Sequence, residues 1–328
     1  MTGRQQDRLV IMGGGSWGGA LADQLARAGQ PVTVLVRSSE TAAALQAGRL
    51  PRLGDAPLSA GLDASTDPAC LAGASAIFLV LPVSAHEEAL GLIKSHARHN
   101  PPLILTAKGL VEDAKRGGLF LPEWVAGKAA DLPLAMLTGP SFADEVVAGK
   151  PAALVLAAAE TALAARLAGL FEGSNLRLYH SDDLVGAALG GAVKNVMAIA
   201  AGITVGLGFG DNARAGLMTR ALAETARLAA ALGADRQTIY GLSGLGDLIL
   251  SSAGPHSRNM AYGLALGRGE TVPAALAEGR YAAARLARRA AFEGVEMPIA
   301  EMVDRLVNQQ AGLMDCVAEL LARQTGEE

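Results

Sequence analysis

The chain has 328 residues, of which 51 % are hydrophobic and 18 % charged. This excludes a disordered chain, and the length suits about two domains of roughly 100–200 residues each. Acidic side chains number 32 against 28 basic ones, for a net charge of −4, which excludes a general nucleic-acid binder, since that needs a basic excess.

The first half alternates short apolar runs with helical stretches. "RLVIMG" reads as a strand, and "SWGGALADQLARAG" as a helix closed by Gly29. "PVTVLV", "AIFLVLP", "PLILTAK", "PLAMLTG" and "AALVLAA" follow as strands, then "ETALAARLAGLFEG" as a helix and "LRLYHS" as the last strand. Continuous apolar runs bounded by Pro or Gly suit strands buried on both faces. Their alternation with helices predicts a parallel, doubly wound, Rossmann-type α/β sheet over residues 1–186. After about residue 186 the pattern is helix after helix, predicting an all-α domain over 187–328. Residues 185–210 are long and apolar enough to span a bilayer, but they carry Lys194, Asn195 and several glycines. A lysine at a bilayer centre costs about 3 kcal/mol, so the stretch is expected to be a buried helix and not a membrane segment. The two cysteines, Cys70 and Cys316, lie far apart in no metal-ligand spacing, so neither a disulfide framework nor a metal is expected, and the compartment is expected to be the cytoplasm.

"GGGSWG", residues 13–18, fits G-x-G-x-x-G between the first strand and the first helix. In that setting Gly13 permits the tight turn, Gly15 lets a pyrophosphate approach the backbone, and Gly18 lets helix and sheet pack closely. The helix N-terminus supplies free N–H groups. Where an acidic residue would hold an adenosine ribose, "VTVLVRSS" has Arg37, which accommodates a 2′-phosphate. NADP(H) is therefore expected to be preferred and NAD(H) accepted; a surface arginine without a ligand is the plain alternative.

Lys108 in "LTAKGL" and the turn "LTGPSFADE", with Gly139 and Ser141, each follow a strand at its carboxyl end, where open α/β sheets bind ligands. Taken alone, each also reads as ordinary loop chemistry. Lys194 stands inside "GGAVKNVMAIAAG", where an ammonium must either reach water along its stem or act on something. Asp247 in "GLSGLGDLILS" reads alone as a cap or turn residue. Ser257, Arg258 and Asn259 in "HSRNMAYG" suit a phosphate, or equally a helix start capped by Ser257. Arg280, Arg285, Arg288 and Arg289 read as a solvated helix face.

These motifs arrive in one order, from "GGGSWGGALA" through "TAKGL", "TGPSFADEV", "GGAVKNVMAIAAGI", "GFGDNARAGLMTRALAE" and "GLSGLGDLILS" to "SRN" and "GVEMPI". In that order the chain resembles the bacterial type of NAD(P)-dependent glycerol-3-phosphate dehydrogenase from end to end. The resemblance implies reduction of dihydroxyacetone phosphate, a small phosphorylated ketone, to sn-glycerol 3-phosphate for phospholipid synthesis, and a homodimer through the helical half. It implies that Lys194 is the acid/base and that Lys108 serves coenzyme and substrate. Gly139, Ser141, Lys194, Asp247, Ser257, Arg258 and Asn259 match substrate positions. Gly13, Gly15, Ser16, Trp17, Gly18, Arg37, Lys108, Ala143, Arg258, Leu276 and Glu278 match coenzyme positions. Gly19 stands where the family commonly has threonine, and Ser141 where threonine is usual.

Overall fold

A computed structural model describes residues 8–59, 62–254, 256–270 and 278–322. The chain forms two compact units, one of residues Met1–Lys108 and Leu121–Ala187, the other of Gly109–Phe120 and Ala188–Glu328. The sequence reading has a single boundary near 186 and does not contain the excursion Gly109–Phe120.

The first unit is built on an eight-stranded sheet. Its strands are β1 (Arg8–Met12), β2 (Val32–Leu35), β3 (Asp63–Ser65), β4 (Ala74–Leu79), β5 (Leu103–Leu105), β6 (Leu134–Thr138), β7 (Ala152–Ala158) and β8 (Leu176–Ser181). They lie in the order β8-β7-β6-β5-β4-β1-β2-β3. One row of neighbours crosses the sheet through Ala64, Val34, Ile11, Phe78, Ile104, Ala135 and Ala158, all of them buried. The adjacent row, Thr33, Val10, Ile77 and Leu103, points to the other face and is buried as well, so side chains on both faces leave water and the strands read as near-continuous apolar runs. Phe78 also meets Phe171 edge-on, with ring centroids 6.0 Å apart.

Two features differ from the sequence reading. β3 carries only "DAS" and gives no apolar run to detect. β7 runs antiparallel to β6, whereas the reading expects parallel strands throughout. The link between them holds only the short helix Ala143–Val147. At about 1.5 Å rise per residue that helix spans roughly 8 Å, shorter than the strand it would have to run back along, so the chain turns back along its neighbour. β1 and β4 are parallel, but successive strands are added outward in one direction from β1 (β2, β3) and in the other from β4 (β5, β6), and such a switch point opens a crevice at the strands' carboxyl ends.

The second unit is helical: α2 (Leu184–Gly206), α3 (Gly210–Ala231), α4 (Asp247–Ser252), α5 (Arg258–Gly267), α6 (Glu278–Phe292), α7 (Pro298–Val307) and α8 (Leu313–Ala322). α2 begins within the last residues of the first unit. By length and composition it could cross a membrane, yet 83 % of its most apolar stretch is buried inside the protein. It is the core helix of this unit.

The excursion forms a small hairpin, Leu110–Val111 paired with Leu119–Phe120, that belongs with α6. Here the expected solvated arginine face is corrected in part: Arg288 is exposed as expected, Arg280 and Arg285 are half-buried, and Arg289 is buried. Arg285 and Arg288 both pair with Glu112, at 2.9 and 2.6 Å. Arg289, only 4 % exposed, donates to the Gly118 carbonyl at 2.7 Å and stacks over Phe120. An arginine can bury its stem and still satisfy its fork, so the charge of Arg289 does not place it at the surface.

Glu224 on α3 is buried, and both its carboxylate oxygens accept the Ile299 N–H, at 3.3 and 3.2 Å, in the first turn of α7. Burial raises this carboxyl from 4.5 to about 7, against the lowering influence of the Ile299 N–H, Arg227 and Arg220. A raised carboxyl binds its proton more tightly in the folded state. Its stabilising share is therefore complete below about pH 4.5 and is lost as pH rises through about 7, a change of about 3 kcal/mol. Glu224→Gln keeps an acceptor for Ile299 and removes the charge. Relative to wild type, the variant is expected to gain stability between pH 5 and 8 in denaturant titrations; a flat difference across that range refutes the assignment.

Candidate active site

In the first unit the glycine loop leads from β1 into α1 (Ser16–Arg27). Gly13 has φ +119, and a Cβ there would strike the Val80 carbonyl. A Cβ on Gly18 would strike the Gly13 carbonyl, so both glycines are needed for the chain to turn this tightly. At Gly15, by contrast, nothing lies within 4 Å of where a Cβ would stand. That space is open to a ligand. No side chain caps α1, and its first turn has no acidic residue, so its leading N–H groups face the same opening. Ser16 and Trp17 are half-buried in this turn, and Arg37 is exposed just past β2. The loop thus fits the pyrophosphate of a dinucleotide. Gly19, where threonine is usual, is filled from outside: Leu50 occupies the place its Cβ would take.

Three more of the candidates converge at the carboxyl ends of β5 and β6. Lys108 Nζ donates to the Gly139 carbonyl at 3.2 Å, and Ser141 Oγ donates to the same oxygen at 3.3 Å. Gly139 has φ +128, which a side chain would strain. Ala143 opens the short helix that follows.

In the second unit α2 carries Gly190, Lys194, Ala198, Gly202 and Gly206 four residues apart. Such a row winds about 40° per step around the helix. Its start presses Gly190 against the Ser243 carbonyl and Gly244, in the π-helical turn Leu242–Gly246 that feeds α4. Its end lies against α5, where Gly202 and Gly206 face the Met260 and Leu264 carbonyls, and Gly263 and Gly267 face those of Ile199 and Ile203. No side chain fits at these contacts, so helix backbones touch. Lys194 stands between them. One turn on from Gly190, it meets Asp247, one turn on from Ser243.

The Lys194 amine donates to Asp247 Oδ1 at 3.0 Å and to Ser251 Oγ at 2.9 Å. The side chains of Lys194 and Asp247 are 16 % and 2 % exposed. The lysine of the greasy helix is therefore held by a carboxylate and a hydroxyl, with a small opening to water. Next to it, Asn195 Oδ1 accepts from Asn259 Nδ2 at 3.0 Å, and Asn259 Oδ1 accepts the Gly279 N–H at 3.0 Å. Ser257 caps α5 by accepting the Met260 N–H, the plainer of its two sequence readings, and leaves Arg258 exposed at the first position of the helix. Glu278 begins α6; Leu276 lies outside the described residues. Sequence reasoning missed Ser251 and Asn195. The first is four residues beyond Asp247 on one helix, a spacing that puts both on one face and could have revealed it. A cavity of about 540 Å³ beside β8, lined by Phe171, Asn175, Arg177 and His180 among others, contains none of the candidates.

The family model described as NAD-dependent glycerol-3-phosphate dehydrogenase N-terminus matches residues 8–164, and the C-terminus model of the same name matches 183–318. The chain belongs to the NAD-dependent glycerol-3-phosphate dehydrogenase family. It is 45 % identical over 323 residues to glycerol-3-phosphate dehydrogenase [NAD(P)+] of Methylobacterium radiotolerans, covering 96 % of each chain. It is 44 % identical over 317 residues to the Bradyrhizobium protein of that name, again covering 96 % of each. The crystal structure of glycerol-3-phosphate dehydrogenase from Coxiella burnetii superimposes with TM-score 0.87 at 37 % identity, covering 97 % of this chain and 99 % of that one. The dehydrogenase family's two-part pattern, a doubly wound sheet and then helices, is the architecture described above.

Proposed function

We propose that the protein reduces dihydroxyacetone phosphate to sn-glycerol 3-phosphate, reversibly, with NADP(H) preferred and NAD(H) accepted. Cytoplasmic supply of glycerophospholipid synthesis, and a homodimer through the helical half, belong to the same reading. So do the roles of residues 1–186 as the dinucleotide-binding domain and 187–328 as the substrate and catalytic domain. One observation carries it: the hydrogen bond from Asn259 to Asn195 joins the start of α5, with Ser257 and Arg258, to the helix that carries the Lys194 amine. An anion-binding group and a proton donor thus belong to one helix junction, which suits a phosphorylated ketone.

A reduced nicotinamide coenzyme, its pyrophosphate held at the Gly13–Gly18 loop, would supply hydride to the carbonyl carbon. As charge grows on the carbonyl oxygen, the Lys194 ammonium stabilises it and gives it a proton. Asp247 and Ser251 hold the amine in place and offset its charge. In the reverse direction the neutral amine takes the hydroxyl proton. Arg258, with Ser257 and Asn259, binds the phosphate through charge-assisted hydrogen bonds. Lys108, Gly139 and Ser141 are assigned to the substrate by family position. Gly13, Gly15, Ser16, Trp17, Gly18, Arg37 and Ala143 serve the coenzyme; Leu276 and Glu278 are assigned to it by family position.

Loss of NADPH absorbance on adding dihydroxyacetone phosphate tests the reading. Turnover only with a non-phosphorylated keto acid, or coenzyme binding with no turnover, would overturn it. Arg37→Asp is expected to raise the Michaelis constant for NADPH about tenfold or more, by removing a charge-assisted contact and adding repulsion, and to leave that for NADH nearly unchanged. An unaltered coenzyme ratio removes Arg37 from the 2′-phosphate site.

A further inference from the structure

α4 holds Asp247 at its start and Ser251 near its end, and both grip the Lys194 amine. It has only six residues, too few to be stable on its own. Something else must hold it in register. Ser252 Oγ donates to the Leu248 carbonyl, which secures the helix internally. The Ser252 carbonyl is one of the last acceptors of the helix, the group that a helix end leaves without an intrahelical donor. It receives Arg214 Nη1 at 2.9 Å. Arg214 projects from α3, and its other nitrogen, Nη2, pairs with Asp211 Oδ1 at 2.9 Å. Asp211 is 88 % exposed, so it steers the guanidinium from the solvent side. A planar fork fixed at both nitrogens holds its acceptor in one place.

We infer that Arg214 is a positioning residue for the Lys194, Asp247 and Ser251 cluster. It acts through the Ser252 carbonyl, one residue from the hydroxyl that the amine uses. It touches none of the reacting atoms. "GFGDNARAGLMTRALAE" thus acquires a task that the sequence reading left open. The inference rests on the dehydrogenase reading only where turnover is measured.

The test compares wild type, Arg214→Ala and Arg214→Lys. In Arg214→Ala, kcat for dihydroxyacetone phosphate is expected to fall about tenfold, as small misplacements of a catalytic group do, with less than a twofold change in KM and in NADPH affinity. Arg214→Lys restores the cation and is expected to recover most of kcat. Nitrogen-15 lysine spectra supply a readout that needs no substrate. The Lys194 Nζ signal, identified by its disappearance in Lys194→Met, is expected to move in Arg214→Ala and to return toward its wild-type place in Arg214→Lys. An unmoved Lys194 signal overturns the inference, whatever the enzyme turns over. A moved signal in a protein with no activity on dihydroxyacetone phosphate supports the positioning role and sinks the functional reading instead.

Discussion

Lys194→Met is expected to lose turnover by about 10²-fold or more while binding NADPH as wild type does. Methionine replaces the apolar stem and deletes only the amine. Its cost to the fold is separate and also large. Asp247, with its side chain 2 % exposed, loses the Lys194 ammonium while keeping the Ser251 hydroxyl, and breaking such a buried pair destabilises by about 3–5 kcal/mol. Kinetics must therefore be read well below the variant's melting temperature. The double variant Lys194→Met, Asp247→Asn removes the stranded charge. It is expected to regain stability and to remain inactive. Full turnover in either protein ends the role of this amine as acid/base.

Two glycine-to-alanine changes are expected to move stability in opposite directions. In an open helix, alanine is favoured over glycine by about 1 kcal/mol. Gly216 in α3 is exposed, with nothing within 4 Å of the place a Cβ would take. Gly216→Ala should therefore stabilise by about that amount. Gly263 has the Ile199 carbonyl in that place. The obstacle is main chain and cannot rotate aside, so α2 and α5 must separate. Overpacking of this kind costs about 1–3 kcal/mol and sometimes more, which outweighs the gain in propensity. Gly263→Ala should destabilise by about 2 kcal/mol, and also lower kcat, because the same contact aligns Asn259 with Asn195. Denaturant midpoints compare the two variants; a shared sign disproves the close approach of these helices.

Much of this could be read from residues alone, for reasons that particular segments make plain. β1, β4 and β7 lie in the interior of the sheet, so each holds an apolar run, LVIM after Arg8 in β1, AIFL after Ser75 in β4 and the whole of AALVLAA in β7. β3 has no such word, because its three residues are held as strand by pairing to β2. Gly13 and Gly18 were legible because the turn they permit has a fixed spacing. The Lys194 cradle was half legible. Asp247 stood out as a lone charge among apolar neighbours, but a buried serine carries no charge to draw the eye. Arg289 of α6 misled for the converse reason: its charge suggested water, while its acceptor, the Gly118 carbonyl, lies 171 residues away in sequence.

That excursion has a consequence for how the molecule comes to exist. The chain leaves the sheet unit after Lys108, returns at Leu121, and leaves again after Ala187. During synthesis the hairpin emerges long before α6, the helix to which Arg285, Arg288 and Arg289 bind it. It must wait, unmatched, while the rest of the sheet is made. The sheet half therefore cannot be excised or swapped as a self-contained cassette by cutting at one point, because a single cut strands the hairpin from its helix. Recombination between relatives would have to exchange both segments together.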